Sequence, residues 1–332
     1  MSLNNKSILI TGGTGSFGNA FIGAILKKYK KIKRLIIYSR DELKQFELSK
    51  KFDPKKYKNL RFFIGDIRDK DRLNVALNKV DYVVHAAALK QVPAAEYNPF
   101  EAIKTNVIGT QNLIECSFNN DVKKVVALST DKAAAPINLY GATKLCADKL
   151  MVAANNIRGD NKITFSVVRY GNVMGSRGSV IPEFIKQSKK KIISITDKRM
   201  TRFNISLEDS VEMVIWSLLN SVGGEILVPK LPSYNILDLA KAISENSKIK
   251  FTGIRPGEKL HEDLITNSDS FNTFDIGKYY IILQNMHKKE LETYKKKFNV
   301  KKVPINFLYS SGTNKSFLTI RELKRLINIH VK

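Results

Sequence analysis

The sequence predicts an α/β protein: a doubly wound parallel sheet with a smaller α/β unit that binds the substrate. Three observations lead there. Short apolar runs recur through the first half, separated by helix-length amphipathic segments. The first run breaks into a glycine-rich turn that opens a helix. The residues best suited to chemistry fall at the ends of successive runs, where doubly wound sheets collect their ligands.

The first run, Ser7-Ile8-Leu9-Ile10, leads through Thr11-Gly12-Gly13-Thr14-Gly15-Ser16-Phe17-Gly18 into an apolar-periodic stretch ending near Leu26. The glycines fit a dinucleotide-binding turn read either from Gly13 or from Gly12, with Gly15 and Gly18 in both readings. They allow a tight strand-to-helix turn and a close backbone approach to a pyrophosphate seated on the helix N-terminus. The second run, Arg34 to Tyr38, ends in Ser39-Arg40-Asp41-Glu42-Leu43-Lys44. Arg40 and Lys44 bracket the position that reads the ribose 2′-substituent, which favours NADP over NAD. Asp41 and Glu42 are first-turn acids that complement the helix dipole. The third run, Arg61 to Gly65, reaches Asp66, an expected adenine contact, and Asp81 to His85 leads into Ala86-Ala87-Ala88, small enough for backbone to approach the cofactor. Lys124 to Leu128 is a fifth strand and Ile163 to Arg169 a sixth.

Beyond the fifth strand stand Ser129-Thr130-Asp131-Lys132 and then Leu139-Tyr140-Gly141-Ala142-Thr143-Lys144. Tyr140 and Lys144 are four apart at the start of a helix and share a face. There the ammonium can stabilise a phenolate. Lowering the Tyr140 pKa from about 10 to ~7 requires roughly 4 kcal/mol of differential stabilisation. Such a pair suits proton transfer at a sugar hydroxyl while hydride passes to a dinucleotide. Asp131 and Lys132, adjacent at a strand end, are positioned as an acid and a base. Lys132 can serve as a base only with a pKa well below 10.4, which burial near Lys144 and NADP⁺ is expected to supply.

On these residues the chain resembles the extended short-chain dehydrogenase/reductase family, and within it the soluble, configuration-inverting nucleotide-sugar 4,6-dehydratases. The blocks that carry the likeness are Tyr38 to Lys44, His85 to Lys90, Ser129 to Ala133, Tyr140 to Leu145, Arg169 to Val173, Arg177 to Val180 and Gly253 to Lys259. The likeness runs from about Ile8 to beyond residue 310. It implies an NADP cofactor held by Gly12, Thr14, Gly15, Ser16, Phe17, Gly18, Ser39, Arg40, Asp41, Glu42, Leu43, Lys44, Asp66, Ile67, Ala86, Tyr140, Lys144 and Val173. It implies UDP-N-acetylglucosamine as substrate, met by Lys90, Lys132, Asn172, Arg177, Gly178, Ser179, Val180, Thr196, Arg199, Arg255 and Glu258. It also implies Thr130, Asp131, Lys132, Tyr140 and Lys144 as the catalytic set, and a homo-oligomer, a hexamer. Arginine forks suit the diphosphate, and Glu258 can accept from ribose hydroxyls. Departures from the pattern are Ala135 where Asn is common, Asn204 where an aromatic is usual, and Gly312 where Asp is common. None removes a reacting group. Glu96 reads equally well as a helix-capping acid and is not assigned to the site.

At 332 residues the chain can bury a full core, and its 43% hydrophobic content contains no membrane-spanning run. A strand begins within seven residues, so no signal peptide is expected. Cys116 and Cys146 fit a reducing cytoplasm rather than a disulfide framework, and His85, His261, His287 and His330 show no ligand spacing. The net charge of +25 comes from lysine runs such as Lys27-Lys28-Tyr29-Lys30-Lys31. No nucleic-acid motif accompanies it, so no specific nucleic acid and no membrane partner is expected. The expected division is residues 1–171 plus about 203–228 for NADP, including a helix from Leu207 to Leu219, and 172–202 plus about 229–332 for the nucleotide sugar. Residues 268–272 and 295–302 read as loops or exposed ends. The rival functions are a UDP-sugar 4-epimerase, opposed by Asp131-Lys132, and a catalytically idle NADP-binding protein, opposed by the intact Tyr140/Lys144 pair.

Overall fold

The structure is a computed structural model and describes residues 2–283 and 288–331. Its first half alternates strands and helices: β1 (Ser7–Thr11), α1 (Ser16–Lys28), β2 (Arg34–Ser39), α2 (Glu42–Lys51), β3 (Leu60–Ile64), α3 (Lys70–Ala76) and β4 (Tyr82–His85). Then come α4 (Val92–Tyr97), α5 (Pro99–Ile103), a π-helical turn over Lys104–Ile108, α6 (Gly109–Asn119), β5 (Lys124–Thr130), α7 (Leu139–Ala153) and β6 (Thr164–Tyr170). Strands β1 to β6 and β10 (Glu225–Pro229) pair in parallel in the order β3-β2-β1-β4-β5-β6-β10. Every residue of β1 is buried, as is every residue of β4, because helices cover both faces of a parallel sheet. The order reverses between β1 and β4, and the crevice beyond their carboxyl ends is where such sheets bind ligands.

Between β6 and β10 the chain forms β7 (Asn172–Val173), α8 (Val180–Ser188), β8 (Ile192–Ile195), β9 (Thr201–Ile205) and α9 (Leu207–Asn220). The expected helix from Leu207 is thus present. Ser206 caps it, its hydroxyl accepting from the Asp209 backbone N–H. Beyond β10 lie β11 (Ser233–Asn235), α10 (Ile236–Ile243), β12 (Lys248–Phe251), β13 (Asp263–Ile265), β14 (Thr273–Asp275), β15 (Tyr279–Leu283), α11 (Lys288–Lys295), β16 (Lys301–Lys302), β17 (Tyr309–Ser310) and α12 (Ile320–His330). A second apolar cluster gathers Met174, Phe184, Ile193, Tyr234, Leu239 and Leu323 from α8, β8, α10, α12 and their connections. It carries the smaller unit, apart from the main sheet core.

The late strands depart from the sequence reading. β15 runs antiparallel to β10, β14 to β15 and β16 to β14, so residues 273–283 and 301–302, expected with the sugar-binding unit, extend the large sheet to ten strands among the described residues. Residues 269–272, expected as loop, form a 3-10 turn in which Ser270 is buried. The turn and the strands are too short to leave a periodic signature. Among the described residues no helix is long and apolar enough to cross a membrane, and no His, Cys, Asp or Glu cluster can hold a metal ion. His287 lies outside them.

Candidate active site

A cavity of about 560 Å³ opens at the carboxyl ends of the parallel strands, running from the glycine turn past Arg40 and Asp66 to Lys132, Tyr140 and Asn172. Its floor depends on glycine. Gly12 sits at φ +66°, and a Cβ there would lie 2.8 Å from the Ala87 backbone nitrogen. A Cβ on Gly18 would lie 2.2 Å from the Gly13 carbonyl oxygen. Gly15 is the N-cap of α1 and provides no side-chain acceptor, and the first turn of α1 holds no acid. The unpaired N–H groups of that turn are therefore free for an anion, which fits a dinucleotide pyrophosphate.

The end of the cavity lined by Arg40, Asp41, Lys44 and Asp66 is polar and basic. Arg40 Nη1 stands 3.5 Å from Asp66 Oδ2, and Lys44 Nζ pairs with Asp41 at 2.5 Å. Asp41 accepts from the Lys44 backbone N–H at 2.9 Å, capping α2, while Glu42 occupies the first turn. Asp66 lines the cavity but is gripped by Arg68, whose Nε donates at 3.1 Å and Nη2 at 2.7 Å. Those bonds outweigh its burial and hold the Asp66 carboxyl below the usual range. Thr14, Ser16, Phe17, Ser39, Ile67, Ala86 and Val173 also line the cavity. Glu42 and Leu43 do not line it, and Leu43 is 65% exposed: both project from the outer face of α2.

At the other end of the cavity β5 runs into a 3-10 turn over Asp131–Ala133, and α7 starts at Leu139. Asn138 caps α7, accepting from Gly141 N–H at 2.8 Å, and Glu96 accepts from Leu139 N–H at 2.7 Å. Glu96 is thus a helix-capping acid. Tyr140, Lys144, Thr130 and Lys132 all line the cavity. Lys144 Nζ donates to the Leu128 carbonyl at 2.8 Å, and burial lowers its pKa. Asp131 is fully buried, receives the Thr130 hydroxyl at 3.0 Å on Oδ1 and leaves Oδ2 without a partner.

Two electrostatic expectations need correction. The protein's own groups do not bring Tyr140 near 7: burial pushes it up to about 12, and the cation that opposes this is Lys132, with help from the Thr130 hydroxyl. Lys144, assigned that role from the sequence, is turned to a backbone carbonyl. Nor does burial leave Lys132 with a depressed pKa. Burial pulls it down, but Asp131 at 3.1 Å and Glu262 at 3.3 Å outweigh burial and hold it well above the usual lysine range. Glu262 is 2% exposed and follows β12 by an irregular segment with no pattern to mark it. Its neighbour Arg202, on β9, is 8% exposed and donates to the carbonyls of Thr201, Leu260 and Lys259. On the buried face of α7, Asp148 accepts from Ser129 at 2.7 Å and from Arg169 at 3.3 Å, a buried network also absent from the sequence reading.

The residues expected around the sugar nucleotide divide. Lys90, Lys132, Asn172, Gly178 and Ser179 line the cavity. Gly178 is at φ +74°, and Lys90 Nζ donates to the Arg177 carbonyl at 3.1 Å, tying the two loops. Arg177, Val180, Thr196, Arg199, Arg255 and Glu258 are not in its wall. Arg199 is forked onto Asp197, Arg255 is exposed, and Thr196 donates to Met200 Sδ. Glu258 faces Arg202 at 3.8 Å. The departures are legible too. Ala135 adopts φ +47°, a conformation that Asn tolerates better, and a Cβ on Gly312 would meet the His261 ring at 2.6 Å.

The parallel sheet, the glycine turn and the Tyr140/Lys144 pair on α7 define an extended short-chain dehydrogenase/reductase. More narrowly, residues 8–284 match the polysaccharide biosynthesis protein family, and the chain belongs to it. A UDP-N-acetylglucosamine 4,6-dehydratase (inverting) of Campylobacter jejuni strain 81-176 is 52% identical, over 98% of each chain. A UDP-glucose 4-epimerase of Rickettsia typhi is 44% identical, over 97% of this chain and 95% of its own. The X-ray structure of Pen from Bacillus thuringiensis superposes with a TM-score of 0.88 at 38% identity, over 99% of each chain.

Proposed function

We propose that the protein dehydrates UDP-N-acetylglucosamine across C5 and C6 with inversion at C5. The product is UDP-2-acetamido-2,6-dideoxy-β-L-arabino-hex-4-ulose, and the step opens pseudaminic acid synthesis. The observation that carries the reading is the Asp131–Lys132 pair beside Tyr140, because a 4-epimerase needs no additional acid and base beyond its tyrosine. The 52% identity to an inverting dehydratase supports it.

NADP is the proposed cofactor, with the turn from Gly12 to Gly18 under its pyrophosphate and Arg40 and Lys44 near the 2′-phosphate. When bound, the dinucleotide supplies hydride uptake from C4 and its return to C6. Tyr140, acting in its phenolate form, which the Lys132 ammonium and the Thr130 hydroxyl favour, takes the proton of the 4-hydroxyl, with Thr130 donating a hydrogen bond to the same oxygen. Lys144, anchored on the Leu128 carbonyl, lines the same cavity as the tyrosine. Lys132 takes the C5 proton, made acidic by the neighbouring ketone, and passes it across their 3.1 Å contact to the Asp131 carboxylate, which delivers it to the departing 6-hydroxyl so that water leaves. C5 is then reprotonated from the opposite face by a solvent-derived proton. In this scheme residues 1–171 and about 203–228 serve NADP, and 172–202 with much of 229–332 serve the sugar nucleotide. The protein acts as a cytoplasmic homo-oligomer, a hexamer.

A UDP-sugar 4-epimerase is the second reading, favoured by the 44% identical Rickettsia relative. A proton NMR time course with UDP-N-acetylglucosamine in D₂O, without added reductant, separates the two. The expected product has a C6 methyl group and deuterium at C5. UDP-N-acetylgalactosamine with its 6-hydroxyl intact would instead establish the epimerase.

A further inference from the structure

An amine held between two carboxylates stays an ammonium, and an ammonium accepts no proton. The surroundings of Lys132 offer a way out. Glu262 is 2% exposed, with Oε1 3.3 Å from Lys132 Nζ and Oε2 buried without a partner. Its backbone is clamped on both sides by Ser311, whose hydroxyl accepts from Glu262 N–H at 2.9 Å and whose N–H donates to the Glu262 carbonyl at 2.8 Å. Arg202 Nε, at 3.9 Å, is too far for a hydrogen bond but close enough to balance charge. Asp131, in contrast, already receives the Thr130 hydroxyl.

We infer that Glu262 is the proton-holding partner of Lys132: it takes an ammonium proton across their 3.3 Å contact and returns it when turnover is complete. The inference rests on the assignment of Lys132 as the C5 base. One N–H bond of Lys132 breaks and one O–H bond forms on Glu262, converting an ion pair into a neutral pair with no change in net charge. The C5–H bond then breaks, its proton going to the Lys132 nitrogen and its electron pair to C5, in conjugation with the 4-ketone. Lys132 hands that proton to Asp131, 3.1 Å away, for the departing 6-hydroxyl, and the freed amine takes its own proton back from Glu262. Glu262 never touches the sugar, so it is a positioning residue. Burial, opposed by Lys132, Arg202 and Lys259 and reinforced by Asp131, leaves its carboxyl above the usual range, which eases the transfer. The remaining titratable groups facing Lys132 are Tyr140 and Tyr234.

The test is Glu262→Gln in the full chain. At pH 7, C5 deuterium exchange and dehydration should fall about 10²–10⁴-fold, the usual loss for a disabled base. Single-turnover reduction of the bound dinucleotide, which reads the C4 step, should stay within a few-fold of the unsubstituted protein. Between about pH 7 and 9 the variant should regain roughly tenfold per unit, because its ammonium must now lose a proton to solvent, whereas the unsubstituted protein should show no such slope. Glu262→Asp, which keeps the carboxylate, should restore part of kcat with KM unchanged, and it carries the test should Glu262→Gln not fold. Unchanged C5 exchange without a pH slope would overturn the inference, as would loss of both steps that high pH does not relieve. Lys132→Ala separates the two readings. Persistent C5 exchange there refutes the base assignment itself, while exchange lost in Lys132→Ala but kept in Glu262→Gln refutes only the part given to Glu262.

Discussion

Replacing Lys132 by alanine removes, among the described residues, the one cation within hydrogen-bonding reach of two buried carboxylates, at 3.1 Å from Asp131 and 3.3 Å from Glu262. Breaking a buried ion pair by deleting one partner costs about 3–5 kcal/mol. The Lys132 side chain is 24% exposed and Arg202 remains nearby, so the lower end, about 3 kcal/mol near neutral pH, is expected. The cost should depend on pH. Glu262 already has a folded pKa above its unfolded value of about 4.3, so the stability it contributes is complete below that pH and is lost as pH rises through the folded pKa. Lys132 is the largest influence opposing that upward shift, so its removal raises the folded pKa further. Each added unit widens the deficit by about 1.4 kcal/mol once both states are above their pKa values. The contribution of Lys132 itself, whose folded pKa is raised, is full below about pH 10.4 and therefore constant over the range tested. Urea unfolding at several pH values between about 5 and 8 should show the two proteins closest in acid and furthest apart at the alkaline end. A deficit below about 1 kcal/mol that does not vary with pH would refute the reasoning. In the same variant dehydration should fall at least about 10²-fold while some C4 oxidation persists.

Three further outcomes follow from the geometry. Arg40→Ala should weaken NADP binding by about 1–3 kcal/mol and NAD binding far less, measured by fluorescence titration; equal losses would show that Arg40 does not read the phosphate. Gly18→Ala places a Cβ 2.2 Å from the Gly13 carbonyl, so dinucleotide binding should be lost and stability should drop by about 3 kcal/mol, which calorimetry with and without cofactor reads directly. Ala135→Asn should raise unfolding stability by about 0.5–1 kcal/mol, since Asn accommodates φ +47° on this exposed turn at lower cost than Ala.

The nucleotide half of the fold was legible because parallel strands buried on both faces read as unbroken apolar runs, and because a glycine turn leaves a fixed spacing after the first of them. Tyr140 and Lys144 were legible for a similar reason: their separation is local and helical, and so is the adjacency of Asp131 and Lys132. Glu262 was not. It lies in an irregular segment, and its meeting with Lys132 depends on tertiary packing through Ser311 and Arg202, which no local period encodes. The electrostatic misjudgement has the same origin, since the pKa of Lys132 turns on a carboxylate that only the folded chain brings near. Arg199 and Arg255 show the converse. Their residue type suits a diphosphate, yet Arg199 is spent on Asp197 and Arg255 is exposed, outside the cavity wall. The antiparallel strands β14 and β16, with three and two residues, are too short to alternate visibly.

The central claim is an internal hydride cycle that ends in dehydration, and UDP-N-acetylglucosamine deuterated at C4 tests it most directly. Incubated with the protein and no external reductant, it should give a 4-keto sugar whose C6 methyl group carries the deuterium that left C4. Deuterium still on C4 of a sugar with inverted 4-hydroxyl and intact 6-hydroxyl would contradict the account.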